Sequence, residues 1–286
     1  MTILSTSGWE DYELFDSGNG KRLERFGKYV LSRPDPQCLW QPQLAENVWE
    51  NAGAVFAEGG KNGQWLNKKS MPESWDMKYK NLIFQARLSP FKHTGVFPEQ
   101  QVMWEWLQGR IKKEEKPKVL NLFGYTGIAS LICAEAGAEV THIDASYPTI
   151  GWARKNQELS NLQSAKIRWI LDDCLEFVKR EVRRGNKYNG IIMDPPVFGH
   201  GPNGERWEFN DNFPELLSEC KKILSEKPLF VLINAYAVSA SGIMLGNMLE
   251  DTMKGFGGTI ESGELALEQK DSKRLLSTGI FGRWCK

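Results

Sequence analysis

From about residue 118 the chain alternates between short apolar runs and longer amphipathic ones, five times in succession. The runs predict strands at 118–123, 139–143, 166–171, 188–193 and 228–234, and helices at 127–137, 148–160, 173–184, 211–224 and 240–253. Parallel neighbours need a crossover long enough to hold a helix, so this alternation specifies a mostly parallel sheet covered by helices on both faces. Two further strand-like runs, 258–266 and 274–284, are joined by Glu268-Gln269-Lys270-Asp271-Ser272-Lys273. That link is too short for a crossover helix, so the two runs should pair antiparallel. The expected fold is α/β: a doubly wound, seven-stranded, mostly parallel Rossmann-like sheet with a C-terminal antiparallel hairpin.

Residues 1–90 differ in texture. Short apolar runs at 12–15 and 29–31 are broken by Gly, Pro, Asn and Asp, and 75–88 partly alternates. This predicts a small β-rich N-terminal region, with a second domain over 91–286. The stretch 58–69, with three glycines and two asparagines, reads as an exposed loop. Residues 99–111 read as a helix and 112–118 as a charged connector.

Composition limits the function. The 36 basic and 36 acidic residues cancel, which argues against broad electrostatic binding of nucleic acid and leaves room only for a local patch. One such patch, Lys179-Arg180-Glu181-Val182-Arg183-Arg184, is equally the solvated end of a helix. No apolar run approaches the ~20 residues that span a bilayer, and the first residues lack the pattern of a signal peptide. Five scattered cysteines without a CxxC give neither a disulfide framework nor a zinc site and fit a reducing cytoplasm.

The strand ends carry the chemistry. The first predicted strand runs into Gly124-Tyr125-Thr126-Gly127 and then a helix. In doubly wound sheets ligands bind beyond the carboxyl ends of the strands, where strand order reverses. The second strand ends at Asp144, at the spacing from Gly124 where a carboxylate holds ribose hydroxyls. The third ends at Asp172-Asp173-Cys174, the fourth at Asp194. Any one of these acids alone reads as a turn residue or helix cap; four strand ends in succession point to a nucleoside-containing ligand. G-x-G-x-x-G and G-x-x-x-x-G-K-[ST] are both missing, which disfavours dinucleotides and triphosphates. Adenosine without phosphate fits better, and S-adenosyl-L-methionine is such a ligand.

Asp194-Pro195-Pro196-Val197-Phe198-Gly199 is a stiff loop. Each proline fixes its own φ, removes an N–H and restrains the residue before it. What remains is a rim of acceptors suited to a substrate amine, such as that of a nucleobase.

Together, Asn121-Leu122-Phe123-Gly124-Tyr125-Thr126-Gly127, Asp144-Ala145-Ser146, Asp173 and Asp194-Pro195-Pro196-Val197-Phe198-Gly199 resemble the class I S-adenosylmethionine-dependent methyltransferases. The nearest group is the bacterial one that includes methyltransferases of large-subunit ribosomal RNA. The resemblance covers about residues 90–286. It implies that Gly124, Thr126 and Gly127 shape the methionine side of the cofactor pocket, that Asp144 holds the ribose and that Asp173 with the Cys174 backbone holds adenine, with Phe123, Tyr125, Ala145 and Asp194 as further cofactor contacts. Thr94-Gly95-Val96-Phe97-Pro98-Glu99-Gln100 resembles the family's T-G-x-F/Y-x-D-Q element, adding Phe97 and Gln100, with Glu99 in place of Asp. The catalytic set is then Asp194, Pro195, Pro196 and Phe198. Val197 stands where the group often has Lys. The 5-methylcytosine branch places a cysteine after the fifth strand; residues 232–239 contain none, which favours nitrogen over carbon as acceptor. The implied partner is an RNA substrate, ribosomal RNA first. The rivals are a methyltransferase of proteins or small molecules and a non-catalytic nucleic-acid-binding module. His200 reads as a polar loop residue, and His93 and His142 as structural.

Overall fold

The computed structural model describes residues 2–59, 63–67, 69, 71–112, 115–236 and 239–286. In chain order the elements are β1 (Thr2–Thr6), β2 (Tyr12–Gly18), β3 (Lys21–Phe26), β4 (Tyr29–Pro34), α1 (Glu46–Glu50), β5 (Ala54–Ala57), β6 (Gln64–Asn67), β7 (Ser74–Tyr79) and β8 (Leu82–Arg87). A 3-10 turn over Pro98–Gln100 precedes α2 (Gln101–Ile111), β9 (Lys118–Leu122), α3 (Ile128–Glu135), β10 (Glu139–Asp144), α4 (Tyr147–Leu159), β11 (Ile167–Leu171), α5 (Cys174–Arg184) and β12 (Gly190–Met193). Then come β13 (Phe198–His200), β14 (Arg206–Glu208), α6 (Phe209–Ile223), β15 (Phe230–Ala235), α7 (Gly242–Met253), β16 (Thr259–Glu268) and β17 (Leu275–Cys285). Among the described residues no helix is long and apolar enough to cross a membrane.

The chain divides into two compact units. The first takes in the chain to Leu4, Val102–Leu265 and Gly279–Lys286; the second takes in Ser5–Gln101 and Ala266–Thr278. This differs from a single cut at residue 90, because the long C-terminal hairpin contributes its base to one unit and its tip to the other.

The first unit is built on a sheet ordered β1-β16-β17-β15-β12-β9-β10-β11. β11, β10, β9, β12 and β15 run parallel, and β17 returns antiparallel to β15. Central strands buried on both faces are predominantly apolar; all residues of β12 and β15 are buried, Asn234 included. Alternation sorts them. Leu120, Ile191 and Met193 pack with Phe177, Phe213 and Leu245 on one face. Val119 and Ile192 pack with Met103, Leu107 and Cys133 on the other. The sheet has eight strands, one more than expected: β1 adds at the edge beside β16. Gly263 allows that approach, since a Cβ there would lie 1.7 Å from the Thr2 carbonyl oxygen. Strand order reverses between β9 and β12, which defines the switch point.

The second unit holds a five-stranded sheet ordered β2-β3-β4-β5-β6 and the β7–β8 hairpin. β6 falls within the stretch expected to be loop, where residues 60–62 and 68 lie outside the described residues. Its centre is charged: buried Glu24 accepts from Arg33 Nε at 2.7 Å and from the Tyr12 hydroxyl at 2.8 Å. Burial alone would raise the Glu24 carboxyl, but Arg22 and Arg33 outweigh it and hold the pKa at about 2. The hairpin tip joins this unit through Gln269, whose Nε2 donates to Asp16 at 3.0 Å.

Candidate active site

Register levels the strand ends. Leu122 of β9 pairs with Met193 of β12 and with Ile143 of β10, and Asp144 pairs with Leu171 of β11. Phe123, Asp144, Asp172 and Asp194 therefore leave or end their strands at one edge. The Asp194 amide donates to the Leu122 carbonyl at 3.4 Å, so the glycine loop and the double-proline loop start side by side.

The glycine loop is tightly turned. Phe123 (φ 55°) and Tyr125 (φ 50°) are both left-handed without being glycine. Gly124 N–H donates to Ile143 O and Gly127 N–H to Gly124 O, each at 3.0 Å. Gly127, at φ 82°, opens α3. The Phe123 amide donates to Cys174 Sγ at 3.3 Å, and the Tyr125 amide to Asp144 Oδ2 at 2.9 Å. The Ser146 amide takes the other Asp144 oxygen at 2.9 Å. Burial pushes the Asp144 pKa up, and the two amides oppose this. They also fix its orientation at the β10 end.

Beneath the loop lies a buried polar layer that sequence reasoning treated only as structure. Asn121 Nδ2 donates to Ser130 Oγ at 2.9 Å, and Ser130 Oγ bonds His142 Nδ1 at 3.0 Å. The His142 ring meets Trp169 edge-on at 4.6 Å. Burial lowers the His142 pKa to about 3, so the imidazole is neutral. Asn156 Nδ2 anchors the Thr126 carbonyl at 2.9 Å.

The two acids after β11 divide their work. Asp172 pairs with Arg180, and its Oδ1 accepts from the Asp173 amide at 2.9 Å. Asp173 caps α5, with Oδ1 accepting from Glu176 N–H at 2.9 Å; burial raises its pKa against that bond. Lys179 pairs with Glu176 and Glu215, and Arg184 with Glu181, so much of the basic end of α5 is neutralised locally.

Beyond Asp194, Pro195 is buried and Pro196 exposed. The Pro196 carbonyl accepts from Trp207 Nε1 at 2.7 Å, and the Val197 carbonyl from Phe209 N–H at 2.9 Å. β13 and β14 form a short hairpin here. Phe198 is 51% exposed on it, with the His200 ring at 4.9 Å and the Arg206 guanidinium 5.9 Å from its centroid. Trp207 escaped the sequence reading; an aromatic next to two charges in a three-residue strand gives no periodic signal. Phe97 and Gln100 lie in the second unit, where Phe97 packs against His93 at 5.1 Å.

The amides of the glycine loop discriminate between ligands. Those of Phe123, Gly124, Tyr125 and Gly127 all have partners within the protein. A pyrophosphate needs such amides aimed outward; a phosphate-free adenosine cofactor does not. Asp144, braced by two amides, suits ribose hydroxyls, so the donor set fits S-adenosylmethionine.

Comparison with known proteins agrees. The ribosomal RNA large subunit methyltransferase K/L of Shewanella frigidimarina is 35% identical over 153 residues, covering 53% of this chain and 21% of that one. Its counterpart from Pseudoalteromonas translucida is 29% identical over 153 residues with the same coverage. The chain thus spans about a fifth of the length of these relatives. The crystal structure of the SAM-dependent methyltransferase from Agrobacterium tumefaciens superposes with a TM-score of 0.96 at 46% identity, covering 100% of this chain and 93% of that one. The sequence profile of the S-adenosylmethionine-dependent methyltransferases matches residues 58–245, well over half of the chain. The chain belongs to the S-adenosylmethionine-dependent methyltransferase family, with S-adenosylmethionine as its cofactor.

Proposed function

We propose that this enzyme methylates a base nitrogen in RNA, with ribosomal RNA the first candidate. The observation that carries this reading is the level start of two loops on adjacent strands. The glycine loop leaves β9 beside the Asp194-Pro195-Pro196 loop leaving β12, and the latter leads straight to an exposed aromatic, Phe198.

S-adenosylmethionine, when bound, supplies a methyl group on a sulfonium, which is already a good leaving group. The acceptor then needs an aligned lone pair more than a strong base, and positioning provides much of the rate. Asp194 and the Pro195 carbonyl accept hydrogen bonds from the target amine and aim its lone pair. The two prolines keep that rim rigid. Phe198 stacks on the base, a contact worth ~1–3 kcal/mol. Asp144 holds the ribose, and Asp173 meets adenine with the oxygen that does not cap α5. Residues 232–239 contain no cysteine, which favours nitrogen over carbon as acceptor; 237 and 238 of that stretch lie outside the described residues. The names of the K/L relatives support an RNA substrate, and five buried free thiols suit a reducing compartment such as the cytoplasm.

The test supplies tritiated S-adenosylmethionine with ribosomal RNA, total protein or a small-metabolite pool in parallel. Label should enter RNA and be recovered, after digestion, in an N-methylated nucleoside. Asp194→Ala should lower transfer at least a hundredfold even at cofactor concentrations that saturate the variant. Label confined to protein or metabolites would overturn the RNA assignment. Undiminished transfer by Asp194→Ala would overturn the role of the loop.

A further inference from the structure

We propose that Trp207 is a positioning residue that couples the cofactor loop to the substrate loop. Its side chain is 3% exposed and touches both. The indole N–H donates to the Pro196 carbonyl at 2.7 Å. The ring lies 4.8 Å from that of Phe123, centroid to centroid, tilted by 58°. Phe123 is the left-handed residue before Gly124, and Pro196 is two residues beyond Asp194. One rigid side chain thus bridges the strand ends on either side of the switch point.

The bridge has a mechanical consequence. A proline-rich loop is stiff along its own backbone but can still swing about its ends. The Pro196 carbonyl is the point at which Trp207 stops that swing. Anchorage continues into α6, because Phe209 N–H, two residues after Trp207, binds the Val197 carbonyl at 2.9 Å. Trp207 also packs the Phe123 ring, so ligand that orders the glycine loop braces the Trp207 ring, and through its N–H the loop carrying Asp194. Binding of cofactor therefore fixes the Asp194-Pro195-Pro196 loop against the glycine loop before an acceptor arrives. The inference requires only the cofactor site, not the identity of the acceptor.

Hydrogen–deuterium exchange of the full chain, with and without saturating S-adenosylhomocysteine, tests it. In the wild type the ligand should slow exchange at least threefold in both 121–127 and 197–208. Trp207→Phe keeps an aromatic ring against Phe123 and removes the N–H; protection should persist at 121–127 and vanish at 197–208. Phe123→Leu breaks the ring contact from the other side and should also uncouple 197–208. Melting curves verify that each variant is folded. Equal ligand-induced protection of 197–208 in the wild type and both variants would overturn the proposal, as would its absence in the wild type.

Discussion

Gly127→Ala should destabilise the protein far more than Gly137→Ala, although both glycines have positive φ. At Gly127 (φ 82°) a side chain meets the left-handed penalty, about 1–2 kcal/mol. It also meets a wall: the new Cβ would lie 2.8 Å from Trp169 Cη2 and Cζ3 and 3.0 Å from Ala153 Cβ. Trp169 cannot simply retreat, since its indole N–H donates to Gln157 Oε1 at 2.8 Å and its ring is packed on His142. Overpacking of this kind costs about 1–3 kcal/mol, for a total of about 2–5 kcal/mol. At Gly137 (φ 108°) nothing lies within 4 Å of the built Cβ, leaving only the backbone term of about 1–2 kcal/mol. The difference, about 1–3 kcal/mol, should separate the two melting midpoints by roughly 2–12 °C. Differential scanning fluorimetry measures this directly. Calorimetric titration with S-adenosylmethionine should show affinity retained in Gly137→Ala and weakened in Gly127→Ala. Equal midpoints for the two variants would refute the idea that the Trp169 ring is a fixed wall beneath the cofactor loop.

Other outcomes follow from the same site. His142 is neutral in the folded chain, with its pKa lowered by burial from 6.5 to about 3. Its contribution to stability is therefore complete above pH 6.5 and is lost as pH falls toward 3; denaturant midpoints measured across that range should fall less steeply in His142→Gln. Asp173→Ala should lose the α5 cap, about 0.5–2 kcal/mol, whereas Asp173→Asn keeps it. Any loss of cofactor affinity common to both variants, read by titration, then reports the adenine contact rather than the cap. Because acidic neighbours neutralise Lys179, Arg180 and Arg184, RNA affinity should depend weakly on salt. A log–log slope of about −2 or shallower, some three phosphate contacts at most, is expected; a slope several times steeper would sink that expectation.

The sequence made the parallel core legible because its signals are local. β12 is a continuous apolar run and β15 is broken only by Asn234, and the segments that follow β9, β10, β11 and β12 carry residues with marked local habits: Gly124, Asp144, Asp173 and Asp194. The elements that stayed hidden depend on distant partners. β1 is an unremarkable run whose edge position rests on the backbone of Gly263, some 260 residues away in sequence. β13 and β14 have three residues each, too few for alternation to register. Asp172 and Asp173 are adjacent and chemically alike; only the fold shows that one pairs with Arg180 while the other caps α5. The C-terminal hairpin was predictable as a hairpin, but the change of unit along its length depends on Gln269 meeting Asp16.

The conformation of the glycine loop raises a question that its glycines do not answer. The left-handed residues flanking Gly124 are Phe123 and Tyr125, where glycine would avoid a penalty of about 1–3 kcal/mol at each position. Side chains justify the choice at 123, since glycine there would remove the ring that Trp207 packs against. The amides complete the explanation. Left-handed geometry turns the Phe123 and Tyr125 N–H groups toward Cys174 at the start of α5 and Asp144 at the end of β10. The strain is offset only once β10 and β11 have delivered those partners, so the loop acquires its shape from the assembled sheet. An isolated 118–135 peptide, which lacks Asp144 and Cys174, should therefore not hold this turn.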